Sequence, residues 1–314
     1  MSYADKSPIL LVSRVLLLKR LLPLLQLLAC LALAAPASAG SLLQSVAASG
    51  VLVGGTSRDA FPFAYQNEEG QLVGYSIDMM NLIREEIERQ TGRPIKLKLV
   101  PLDTDQRLSS LESGAVNLVC DASSFTWSRD EKVDFSVSYG ITGTQLLVPR
   151  GSGLSSPESL AGKRVGVLPR TTSVLAVASR QPAASLVLLK DRQEGYEALQ
   201  QGRIDAFADD GMLLYAWLQR QGGQAPFKVS ADTYSREGIA CMVPQNNSSF
   251  QRVVDLALIR YMQGFLRQQP RERGIFDRWF GPQGKTPLTQ DVTGLFTETM
   301  QLMVDFKEEV PSKP

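Results

Sequence analysis

Two hydrophobic periods run through this chain, and the elements can be read where one gives way to the other. Residues 51–54 (VLVG) form an apolar run of strand length. Ile77, Met80, Ile83 and Ile87 then fall at helical spacing through SIDMMNLIREEIERQ, and TGRP stops that helix. Ile95, Leu97 and Leu99 alternate with Lys96 and Lys98, which is strand period with one face in water. A short helix over 106–113 closes on Gly114 at a C′ position, and the strand VNLVC follows. The order β-α-β-α-β predicts an α/β sheet with ligands beyond the carboxyl ends of its strands.

The second half replays this plan. GTQLLVP reads as an extended segment leaving the first unit, and the turn-rich GSGLSSPESLAG opens a second. There KRVGVL is a strand, PRTTSVLAVAS a loop feeding a helix N-terminus, and LVLLK a strand. EGYEALQQG is a helix and RIDAFADD a third strand. Leu111 to Gly114 followed by VNLVCDASS is thus echoed by Leu199 to Gly202 followed by IDAFADDG. GIACMVP then reads as a strand. The helix over 248–268 shows Phe250, Val253, Val254, Ile259, Met262 and Leu266 on one side, and with IFDRWFG it is expected to cap the first unit. Residues 285–314 carry one apolar stripe (Leu295, Phe296, Met300, Met303, Val304), read as a peripheral helix.

At 314 residues the chain fits two domains. Its N-terminus sets a compartment. Lys19 and Arg20 precede LLPLLQLLACLALAAP, which ends in Ala37-Ser38-Ala39, so residues 1–39 are expected to be a cleaved signal peptide and the protein periplasmic. The second reading is a lipoprotein anchored through Cys30. Cleavage removes Lys6, Arg14, Lys19 and Arg20 but only Asp5, which turns a formal +1 into a small excess of acid. Nucleic acid is thereby excluded as a partner. Two cysteines remain, Cys120 and Cys241. In an exported chain an even pair reads as a disulfide, the alternative being two buried thiols. If they are bonded, the chain returns to the first unit after 239. It would then cross between lobes through GTQLLV outward and GIACMV back, the layout of a hinge. The expected lobes are 40–145 with 240–284, and 146–239, followed by the 285–314 extension. There is no histidine, which excludes Ser-His-Asp and Cys-His catalysis and histidine metal sites. Nothing in the chain calls for a cofactor or a metal.

The chemistry concentrates in CDASSFTWSRDEKVDFSVSY. Ser123 and Ser124 close an apolar strand, and Arg129 stands five residues after the second. A turn of that length folds the guanidinium over the hydroxyls, an arrangement suited to a carboxylate. The alternative is a surface loop whose arginine pairs with Asp130 or Glu131.

In this order, VGGTSRDAFPFAY, VGYSIDM, TDQRLSSLESG, VCDASSFTWSRDEKVDFSVSY, SLAGKRVGVLPRTTS, LKDRQEGYEALQQGRIDAFADDGMLL, GIACMV and FDRWFG resemble the periplasmic amino-acid-binding proteins of ABC importers. These are family 3 of the bacterial solute-binding proteins, and the resemblance is greatest to the glutamate/aspartate branch. It implies a type II periplasmic-binding-protein fold: two α/β lobes joined by a two-strand hinge, acting as a monomer that delivers a free amino acid to a membrane permease. By the same resemblance Arg129, Ser124 and the helix N-terminus at Thr171 and Thr172 hold the α-carboxylate, and Asp210 takes the α-ammonium. Taken alone, Asp209-Asp210-Gly211 also reads as a helix N-cap. Arg58, Arg107 and Arg192 fall where the acidic-ligand branch places positive groups, which would make glutamate or aspartate the ligand. The other fate of such arginines is a snorkelling surface position. The chain departs from the family's pattern at Ala122, where relatives offer a hydroxyl, at Arg58, one place late in its loop, and at Arg170, in place of a glycine. The other readings are a ligand-sensing module and, on the same fold, a cyclohexadienyl-dehydratase-like enzyme with Asp78, Asp121 or Asp209 as its acid.

Overall fold

The computed structural model of the protein describes residues 41–222 and 225–307. The expected leader with Cys30 lies outside the described residues, as do the last seven residues of the extension.

Two five-stranded sheets carry the chain. In the first, Val51–Thr56 runs between Lys96–Pro101 and Leu118–Val119, parallel to both. Met242–Pro244 and then Val133–Phe135 extend it antiparallel. In the second, Arg164–Val167 runs parallel between Ser185–Leu188 and Ala206–Asp210. Thr144–Pro149 and then Phe227–Val229 extend it antiparallel. The two sheets have the same strand order. The echoed segments of the sequence, 118–119 and 206–210, hold the same third place in each.

A two-stranded antiparallel ribbon, Gly140–Thr142 against Glu237–Ile239, joins the sheets. This is the type II two-lobe α/β fold. The outward crossing lies just before the segment that the sequence pointed to, and the return crossing overlaps the start of its own. GTQLLV is instead a strand of the second sheet, paired from Thr144 to Leu147 with Asp210 to Phe207. GIACMV straddles ribbon and first sheet. The chain turns at Gly143, where a Cβ would collide with the Ser235 carbonyl of the other crossing. Only glycine lets the two backbones approach there.

The helical stripe read from the sequence is buried as expected. Tyr75–Thr91 turns Ile77, Met80, Ile83 and Ile87 inward, against Phe250, Val253, Val254, Ile259 and Met262 of Ser248–Leu266. Pro270–Phe280 adds Phe276 and Phe280. Gln290–Lys307 docks on Ser248–Leu266 and on the ribbon strand at Gly140, burying Phe296, Met300 and Val304. Leu295, expected in that stripe, faces outward. Cys120 and Cys241 are bonded, with Cα atoms 4.4 Å apart, and so tie the third strand of the first sheet to its antiparallel neighbour. A second, smaller cluster around Leu111, Val119, Phe135 and Met242 completes the first lobe, and the core of the second lobe is likewise divided. Alternation along its strands sends Leu147 and Phe207 to one face and Leu146, Val148, Ala206 and Ala208 to the other, which makes two smaller clusters.

Two features escaped the sequence. Leu42–Ser49 is a helix with a capping box between Ser41 and Gln44. The segment read as the loop TSRDAFPFAY folds with 72–73 into a three-stranded sheet. Among the described residues no helix is long and apolar enough to cross a membrane.

Candidate functional site

The third strand of each sheet ends facing the other lobe, and the sequence places opposite charges there. In the first lobe the chain leaves Leu118–Val119 through Asp121, Ser123 and Ser124. It enters the short helix Trp127–Asp130, whose first turn is fixed by the Thr126 hydroxyl accepting from the Arg129 amide at 3.2 Å. This brings the Arg129 guanidinium back over the strand end. Its Nη1 donates to the Ser124 carbonyl at 2.6 Å, and its Nη2 crosses to the Arg170 carbonyl of the second lobe at 2.9 Å. Among the described residues it has no carboxylate partner. Burial, and secondarily the nearby charge of Arg107, lower its pKa.

In the second lobe Ala206–Asp210 ends in two acids. Asp210 holds the N-cap position of Gly211–Arg220, yet its side chain accepts no capping hydrogen bond. Its Oδ1 is buried without a hydrogen-bond partner. Burial, followed by the charges of Asp209 and Glu237, pushes this carboxyl well above the usual range. The helix Thr172–Arg180 also opens toward the first lobe. Thr171, at its N-cap, donates its hydroxyl to the Leu168 carbonyl instead of accepting from the helix. Its first backbone donors thus lack a side-chain cap, and such a terminus suits an anion.

The remaining candidates separate. Ser124 is buried, and its hydroxyl makes no hydrogen bond among the described residues, whereas Ser123 donates to Asp121 at 2.5 Å and accepts from Arg107 at 3.2 Å. Arg107 is buried under Ser57 and ion-paired with Asp121 at 2.8 Å. Arg192 is buried between Asp209 at 2.7 Å and Asp59 of the other lobe at 2.9 Å. Arg58 lies half-exposed on the surface, paired with Asp103. Arg129, Asp210, Arg107 and Arg192 therefore converge within electrostatic reach of one another, and Arg58 does not. Arg170 adopts φ 60°, which explains why a glycine is the easier residue there. Its guanidinium reaches across the cleft to the Asp105 carbonyl at 3.0 Å. Of the aromatic side chains in the loops on either side of Arg58 and Arg129, Phe63 is core, Phe61 lies under the Arg220 guanidinium of the second lobe, and Trp127 is exposed.

Three residues of the site went unseen in the sequence. Glu237 and Thr142 are cross-strand partners in the ribbon, and Glu237 Oε2 and Thr142 Oγ1 are both buried without partners. Asp59 closes the lobes through Arg192. No local pattern marks any of them, since each becomes functional only by where the lobes meet. The three acids named for an enzyme are all engaged: Asp121 and Asp209 in ion pairs, and Asp78 with Trp279 Nε1 at 2.7 Å.

Known proteins place this arrangement. The model of the bacterial extracellular solute-binding proteins, family 3, matches residues 52–282. The chain is 27% identical to the glutamate/aspartate import solute-binding protein of Salmonella typhimurium, over 81% of this chain and 82% of that one. It is 28% identical to the L-glutamate/L-aspartate-binding protein of Pseudomonas aeruginosa, over 79% and 83%. Among solved structures it is similar to an ancestral arginine-binding protein bound to glutamine (28% identity, TM-score 0.66, 74% of this chain and 98% of that one). A match over most of the described residues, on the same two-lobe fold, settles the family: this chain belongs to the bacterial extracellular solute-binding proteins, family 3.

Proposed function

We propose that this chain is the periplasmic receptor of an ABC importer, exported by a leader at 1–39, which closes two lobes around a free L-amino acid and presents the closed form to a membrane permease. The observation that carries the reading is the opposition of Arg129 and Asp210. One is a half-buried cation with only carbonyl partners and the other a buried carboxyl with an unpartnered oxygen, supplied by facing strand ends. A zwitterion matches both: its carboxylate lies on Arg129, Ser124 and the Thr171–Thr172 helix terminus, and its ammonium on Asp210. Leaving either ion unpaired in a closed cleft costs several kcal/mol, so ligand and closure are coupled.

A finer reading, glutamate or aspartate as the ligand, draws support from the names of the relatives and from the convergence of Arg107 and Arg192 on the cleft. An enzyme reading has two favourable observations, the carboxyls of Asp210 and of Asp78, both raised by burial, and predicts turnover of a bound ligand.

The test is calorimetric titration of refolded, ligand-stripped protein with glutamate, aspartate, glutamine, arginine and alanine, alongside solution scattering. Binding of at least one amino acid unchanged, with compaction, supports the receptor. Binding by none, or consumption of the ligand, overturns it.

A further inference from the structure

The side-chain end of the cleft is already neutralised from within. Arg107 is 5% exposed and its guanidinium is engaged within its own lobe, by two hydrogen bonds and by an ion pair in which the buried Nε makes no hydrogen bond. Nε lies 2.8 Å from Asp121 Oδ2, Nη2 donates to Ser57 Oγ at 2.8 Å, and Nη1 donates to Ser123 Oγ at 3.2 Å. Asp121 is fully buried and accepts from both of those hydroxyls. Arg192 is likewise committed, Nε and Nη2 to Asp209 and Nη1 to Asp59. The cations that converge on the cleft are Arg107, Arg129 and Arg192, and Arg170 reaches over it from an exposed position to the Asp105 carbonyl. The acids that face them are Asp59, Asp121, Asp209, Asp210 and Glu237. Once Arg107 and Arg192 are paired, Arg129 remains for a ligand carboxylate, and the acids left with an unpartnered oxygen are Asp210 and Glu237, beside the unpartnered hydroxyl of Thr142.

We propose that Asp121 is a built-in counter-ion that occupies Arg107 and so sets specificity: the cleft takes amino acids whose side chains carry no negative charge and rejects glutamate and aspartate. This rests on the receptor reading above and stands against its finer form, an acidic ligand, because the two arginines that favour that form are already paired. A zwitterion meets one cation at Arg129 and one acid at Asp210. A second ligand carboxylate would have to give up its water facing two arginines that already hold carboxylates, beside the additional charge of Glu237. A buried charge without an unengaged partner is disfavoured by several kcal/mol. A neutral side chain avoids that cost, and a cationic one gains from Glu237.

The test has two arms. In wild-type protein, glutamine, arginine or another non-acidic amino acid is expected to bind at least about tenfold tighter than glutamate or aspartate, given the cost of an unpaired carboxylate. In Asp121→Asn the amide no longer neutralises Arg107, and affinity for glutamate or aspartate is expected to rise about tenfold or more over wild type. Preference of the wild-type protein for an acidic ligand overturns the proposal even if the variant fails to fold. So does a folded variant, judged by circular dichroism, whose acid affinity is unchanged. Failure of every amino acid to bind would remove the receptor reading, and this inference with it. Tight binding of glutamate alone would leave the receptor standing and overturn only the specificity.

Discussion

The two lobes share one strand order but differ in how they are held together and in what they offer a ligand. The first is stapled by Cys120–Cys241 and packs four long helices on one large core cluster, with a smaller cluster around Leu111, Val119, Phe135 and Met242 beside it. The second has no staple, is covered by the shorter helices Thr172–Arg180, Arg192–Gln200 and Gly211–Arg220, and divides its core between two smaller clusters. At the matching strand end, the first lobe presents a cation with hydroxyls and the second an acid beside an open helix terminus. Equal topology puts the two ends face to face, and unequal residues make the faces complementary. A repeated fold can therefore build a site for a zwitterion without any symmetry in the chemistry.

The largest expected effect tests that complementarity. Arg129→Ala and Asp210→Ala should each weaken amino-acid binding by about 10²–10³-fold, because each strands one charge of the ligand in the closed cleft. Titration of both variants checks this. Unchanged affinity in either would break the pairing of the two strand ends.

Next comes the staple. The bridge closes a separation of 121 residues, and its removal in Cys120→Ser/Cys241→Ser should cost about 2–5 kcal/mol in denaturant unfolding. Hydrogen exchange should place the loss in the first lobe, with second-lobe protection unchanged. Loss spread evenly over both lobes would show that they do not differ in this way.

A smaller effect concerns protons. The Asp210 carboxyl is raised by burial and by Asp209 and Glu237, so the folded, ligand-free protein holds this proton more tightly than the unfolded chain. Its contribution to stability is unaffected below the unfolded pKa and falls as pH rises from there through the raised folded value. Asp210→Asn should flatten that decline in thermal melts. Ligand ammonium should also expel the proton, which calorimetry in buffers of different ionisation heat would register in the wild type and not in the variant.

The smallest is Arg58→Ala. With its side chain 49% exposed and paired to an exposed Asp103, Arg58 should contribute no more than about 0.5 kcal/mol, and its loss should leave ligand affinity unchanged. A tenfold loss of affinity would bring Arg58 back into the cleft.

The elements that were legible in the sequence have a strong period of their own. Tyr75–Thr91 and Ser248–Leu266 bury the residues that their spacing marks, since a helix presents one face to one core wherever it docks. The small sheet at 59–73 was not legible, because strands of two or three residues are too short to show a period. Nor was the place of the hinge. GTQLLV and GIACMV have strand composition, but which sheet takes a strand depends on the partner it meets. Arg129 is marked by its place after the two serines, and Asp210 by the resemblance to the family. That Arg107 and Arg192 would arrive with their own carboxylates was not legible, because Asp121, Asp209 and Asp59 lie from 14 to 133 residues away along the chain.

The sequence by itself thus determined the α/β plan, its repetition and the residues that carry charge to the strand ends, since these follow from local period and composition. The tertiary structure alone decided which charges remain open to a ligand. Pairing is a matter of distance and burial, and only the closed approach of the two lobes and of the segments within them sets those.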